Sequence, residues 1–255
     1  MKKRTHAVGI AALFALALGA FGIAGVSAAA TRPYTCVKDP TGTFFGAHCL
    51  TSGSGEKYKH VEIPANTQTT YTLTNANTAE ETKAARSAIL KTTVAGVSLE
   101  ITCATVHGEG TLENKTVGEE MFAHAVGTFH LTGCEVKQPA GKLCKVAGET
   151  IKTEQLTGTS QGQGDAITFK PSGEGSKFTE IKIEGCSIAA LNNTYPVTGS
   201  LKDPASGGTV TINHAEATTQ ATLKFGGQKA GIDGALTIKA HSKAGEETVP
   251  ISGTT

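Results

Sequence analysis

The residues of this chain best suited to chemistry are histidines and carboxylates in its middle third. Glu109 follows His107 by two residues, and side chains two apart share one face of a β-strand. His124 and His130 are six apart and would share a face of one continuous strand, with Glu119 and Glu120 close by. Imidazole and carboxylate are ligands that zinc and copper accept. No signature spacing supports such a site: there is no C-x-x-C, and no Cys/His pairs stand at finger distances. The expectation is scattered surface or packing histidines, no metal and no cofactor. His107, His124, His130 and Glu109 are the candidates that a folded structure tests.

Hydrolytic chemistry fares no better. Gly158-Thr159-Ser160-Gln161-Gly162 has the letters of a Gly-x-Ser-x-Gly elbow but reads as part of a loop rich in Gly, Gln and Ser, and Ser52-Gly53-Ser54-Gly55 reads as a linker, not as a strand-to-helix turn. Glu119-Glu120 and Glu246-Glu247 lie in polar segments where solvated charge is the ordinary explanation. The two carboxylates of a glycosidase need only meet in space, so a secreted hydrolase with a spatially assembled carboxylate/His site stays an alternative. Gly207-Gly208 and Gly226-Gly227 lack the context of a phosphate-binding loop and read as turns. The chain has no Trp, four Tyr and nine Phe, which argues against sugar binding by aromatic stacking.

The elements that must position these residues begin after a leader. Lys2, Lys3 and Arg4 precede an apolar run from Ala7 to Val26, and Val26-Ser27-Ala28-Ala29-Ala30 offers small residues for cleavage after Ala28 or Ala30. Residues 1–28 are therefore expected to be a signal peptide, and the mature protein to be secreted, outside the cell or in its envelope, with no membrane segment. Removing those three basic residues turns 23 Lys+Arg against 22 Asp+Glu into 20 against 22. With no long basic run, nucleic acid and anionic membrane are excluded as main partners.

Cys36, Cys49, Cys103, Cys134, Cys144 and Cys186 all follow the leader. An even count in an oxidising compartment predicts three disulfides, and six Cys allow 15 connectivities. The pairing expected is Cys36–Cys49, Cys134–Cys144 and Cys103–Cys186. The leading pattern is Phe129-His130-Leu131-Thr132-Gly133-Cys134-Glu135-Val136, echoed by Ile181-Lys182-Ile183-Glu184-Gly185-Cys186-Ser187-Ile188. In each, a Gly acting as a bulge would return the Cys and the last aliphatic to the buried face.

About 225 mature residues suffice for a substantial core in one domain or two small ones. Abundant Thr and Gly, and aliphatics alternating with polar residues, predict an all-β fold: a disulfide-stabilised β-sandwich or barrel-like antiparallel sheets, or two packed β units. Residues 31–60 read as a small disulfide-closed N-terminal element with a turn at Asp39-Pro40-Thr41-Gly42. Residues 61–255 form the main domain, with a sub-boundary near 160 as the alternative. Only residues 75–88 carry helix signals, and a polar loop competes there.

Several stretches resemble a set of exported proteins of high-GC actinobacteria for which no activity is established. They are Leu99-Glu100-Ile101-Thr102-Cys103, Leu131-Thr132-Gly133-Cys134-Glu135-Val136, Leu143-Cys144 and Leu191-Asn192-Asn193-Thr194-Tyr195-Pro196-Val197-Thr198-Gly199. Leu223-Lys224-Phe225-Gly226-Gly227 and Gly234-Ala235-Leu236-Thr237-Ile238 complete the pattern. The resemblance implies a secreted all-β fold and carries no catalytic residues. The functional expectation is a structural or interaction protein of the cell surface or extracellular matrix, partnered by envelope proteins or by itself. A small-ligand carrier is a further alternative, requiring an apolar cavity inside the β structure.

Overall fold

The computed structural model describes residues 32–45, 51–53, 55, 57–75, 88–161, 166–173, 175–206, 209–213, 221–241 and 248–254. The leader and the 75–88 helix expectation (beyond Asn75 and Ala88, which end and begin strands) lie outside them, as does any bond of Cys36 to Cys49. Within them the chain is all-β, as its alternation predicts.

The small N-terminal element is an antiparallel sheet of β1 (Arg32–Lys38), β2 (Phe44–Phe45), β3 (Thr51–Ser52) and β4 (Lys57–Glu62). Its predicted turn forms: the Thr41 amide and hydroxyl donate to Asp39 Oδ1, and the Gly42 amide donates to the Asp39 carbonyl. A Cβ at Gly42 would stand 2.0 Å from the Tyr58 carbonyl oxygen, so only glycine fits that crossing. One face packs Tyr34, Phe44 and Tyr58, with the His60 ring stacked 4.2 Å from Phe44 and tilted 3.9 Å from Tyr34.

The main body is built from β5 (Thr69–Asn75), β6 (Ala88–Val94), β7 (Val97–Val117), β8 (Glu120–Gln138), β9 (Lys145–Val146), β10 (Thr150–Lys152), β11 (Leu156–Thr159) and β12 (Ala166–Pro171). It continues through β13 (Thr179–Glu184), β14 (Asn193–Thr198), β15 (Leu201–Ser206), β16 (Thr209–Asn213), β17 (Lys224–Phe225), β18 (Gln228–His241) and β19 (Thr248–Thr254). The pairings β5-β7-β8-β11-β12-β15-β16-β18 return to β5, closing an eight-stranded antiparallel barrel. A second circuit, β6-β7-β8-β9-β13-β14-β17-β18, returns to β6. The long strands β7, β8 and β18 run through both rings and fuse them end to end. Strand β19 leaves β18 to pair with β1, joining the small sheet to the barrel. Closure satisfies backbone groups that an open sheet would leave at its edges.

Strand β7 is continuous over 21 residues. It changes face on the way: Leu99, Ile101 and Cys103 are buried, then Val106, Leu112 and Asn114, with Ala104 and Thr105 both exposed between them. Strand β8 changes face at the same level, where Thr132 and Gly133 lie between half-buried Leu131 and buried Cys134. The register from Ile101↔Val136 to Val117↔Glu120 has no shift at this level. Gly133 therefore does return Cys134 to the core, but not as a bulge in one strand: both strands turn together, and Gly133 takes φ 60° to do so. The second Gly-Cys stretch differs more. Its strand ends at Glu184, Gly185 takes φ 71°, and Cys186 begins a loop clamped by Asn192, whose Oδ1 accepts the Cys186 amide and whose Nδ2 donates to the Cys186 carbonyl.

Among the described residues the disulfides are Cys103–Cys134 and Cys144–Cys186, which corrects the expected Cys103–Cys186 and Cys134–Cys144. The register explains the first, because Cys103 and Cys134 are direct partners on β7 and β8. The second follows from β9, which inserts between β8 and β13 and so sets Cys144 beside Cys186. The Ser187 amide donates to the Lys142 carbonyl next to that bond.

Candidate functional site

The outer face of the β7–β8 ribbon carries the sequence candidates. His107 and His130 are direct cross-strand partners, both exposed, and Glu109 lies two residues along the same face. Lys152 of β10 pairs with His130 on the other side. The row His107–His130–Lys152 thus places an ammonium beside the two imidazoles, the wrong neighbour for a cation. His124 does share the face of His130, but six residues of strand separate them by about 20 Å. Its Nδ1 instead sits 3.2 Å from Glu113 Oε1, its cross-strand partner. Glu119 occupies the turn joining the two strands. Among the described residues no three His, Cys, Asp or Glu side chains are grouped to hold a metal ion.

An open depression of about 500 Å³ lies elsewhere, lined by Glu154, Gln155, Ser172, Ser176, Lys177 and neighbours. Its ionisable side chains, Glu154 and Lys177, interact by charge. Lys177 is ion-paired at 2.8 Å with Glu180, whose hydrogen bond raises the lysine pKa. The Ser172 hydroxyl meets Thr157 at 3.0 Å.

The interior holds the more distinctive feature. Where the two rings meet, a cavity of about 110 Å³ is lined by side chains from both. Phe129 and Phe169 approach it edge to face, with ring centroids 6.4 Å apart, and Phe178, Ile181 and Leu223 close other sides. Thr153 and Thr179 line it with their hydroxyls engaged. Thr153 Oγ1 accepts the Phe129 amide at 2.8 Å, and Thr179 Oγ1 donates to the Lys152 carbonyl at 2.6 Å. Asp233 also borders the cavity, half-buried.

The barrel wall is otherwise tightly fitted. Tyr71 projects inward from β5 opposite Gly110, and a Cβ on Gly127 would lie 2.5 Å from its hydroxyl. Burial pushes the Tyr71 phenol up to about 12.

Sequence reasoning did not identify the cavity residues. Each contributing strand supplies one to three of them, scattered from Ala88 to Gly234, so they form no single motif in the chain. The only sequence signal was the alternation that turned them inward.

Comparison with family profiles, curated proteins and solved structures yields no match to this chain.

Proposed function

We propose that the protein is exported and acts by binding, without catalysis, as a rigid module of the cell surface or extracellular matrix. The observation that carries this reading is the outward face of the small sheet. The β1–β4 and β2–β4 registers put Val37, Val61 and Phe45 on one side, with Lys57 and Lys59 among them. Val37 is 38% exposed, Val61 39% and Phe45 50%. Apolar side chains presented together on a rigid sheet are a feature of contact surfaces. The Cys103–Cys134 and Cys144–Cys186 disulfides suit an oxidising compartment, and among the described residues no helix is long and apolar enough to cross a membrane. Strand addition to the barrel is a poorer route to assembly, because both of its rings close on themselves.

The mature chain tests this by co-sedimentation with cell-wall fractions and by light scattering after size exclusion. Wall binding or self-association that a Phe45→Ser, Val61→Ser variant loses is the expected result. A strictly monomeric protein that ignores cell walls would sink the proposal.

A further inference from the structure

We infer that the cavity at the junction of the rings is a binding site for one small, neutral, apolar molecule of about the bulk of a benzene ring. This goes beyond the surface role proposed above and does not depend on it. The wall selects against charge and against water. Its threonine hydroxyls already bond backbone groups and Asp233 stands only at its border, half-buried, so an ion or a water entering the apolar interior would forfeit hydrogen bonds it had in solvent. The size sets the class. A volume of about 110 Å³ is far more than one water needs and far less than a drug-sized ligand takes. Phe129, Phe169 and Phe178 offer ring faces and edges, which favour an aromatic guest over an alkane of equal bulk.

The space is also fixed in place. Its wall belongs to two closed hydrogen-bonded circuits that share β7, β8 and β18, and the Cys103–Cys134 bond ties β7 to β8 at the cavity itself. A wall held this way relaxes little when a void lies beside it, so the void persists and a guest that fills it gains contacts without displacing protein atoms. Residues of both rings would touch the guest. A bound molecule would therefore stabilise the junction as a whole.

The probes are benzene and benzoate, titrated into the mature protein and followed by methyl NMR and thermal melting. Benzene is expected to shift the Leu90, Ile151, Ile181 and Leu223 methyl signals saturably and to raise the melting temperature, while benzoate does neither. Ala88→Leu, which directs a larger side chain from the wall into the cavity, should weaken benzene binding by about tenfold or more. Val197→Ile is the milder filling variant should Ala88→Leu fail to fold, and a weakening is expected there too. Phe45→Ser should leave the titration unchanged, which separates this site from the surface. Absence of saturable shifts in the wild type, equal binding of benzoate, or undiminished binding in a folded filled variant would overturn the inference.

Discussion

Gly108 and Phe129 face each other directly across β7 and β8, and a methyl group on Gly108 would come within 2.5 Å of the Phe129 ring. The absence of a side chain on one strand is what lets the aromatic ring of the other lie flat against the barrel wall. From that position Phe129 reaches both the core and the central cavity.

Gly108→Ala should therefore destabilise the protein by about 1–3 kcal/mol, the usual cost of overpacking a fitted core. Combining it with Phe129→Leu should cost less than the sum of the two single changes, since the smaller side chain removes the collision. Urea denaturation of the four proteins in the cycle measures this coupling, and strict additivity would refute the contact.

Peptide mapping of the non-reduced protein should find Cys103 joined to Cys134 and Cys144 to Cys186. In the chain-entropy account, bonds spanning 31 and 42 residues contribute about 3.7 and about 4.0 kcal/mol. Replacing either pair by alanine should lower the unfolding free energy by amounts of that order.

Alkaline stability should depend on Tyr71. Its phenol ionises at about 12 in the fold, against 10.0 when unfolded, because burial disfavours the anion. The folded form thus holds its proton more tightly. The associated stability, about 2–3 kcal/mol, is fully present below pH 10 and lost as pH rises toward 12. Tyr71→Phe should flatten most of that decline in denaturation measured from pH 9 to 12. A residual slope remains from Tyr195, whose burial raises its pKa in the same direction.

The N-terminal turn should respond to acid instead. The Lys59 ammonium beside Asp39, with the Thr41 hydroxyl and amide, holds the carboxyl well below the usual carboxylate range. A depressed pKa contributes stability that is present above the unfolded value and lost as pH falls through the folded one. Carboxyl NMR should show Asp39 titrating below the other aspartates, and Lys59→Met should return it toward its ordinary value.

Some of this was legible in the residues. Alternating aliphatics and threonines are enough to require strands, since no helical face is apolar for long. Asp39-Pro40-Thr41-Gly42 specified its turn because each residue acts on its immediate neighbours. The shared face of His124 and His130 followed from counting along one strand. The face change at Gly133 was anticipated as a one-strand bulge. Its actual form, a joint turn of two strands in unbroken register, depends on the partner strand as much as on the glycine.

By itself, then, the sequence determined what is local: strand character, the faces of each strand, turn chemistry, and the six sulfurs available for cross-linking. Only the tertiary structure decided what each face meets. The insertion of β9 between β8 and β13 chose the disulfide partners. The path of β7, β8 and β18 through two closed rings created the central cavity. Contacts of that kind join residues distant in the chain, and strand alternation, with its period of two, says which side a residue faces but never which neighbour it finds there.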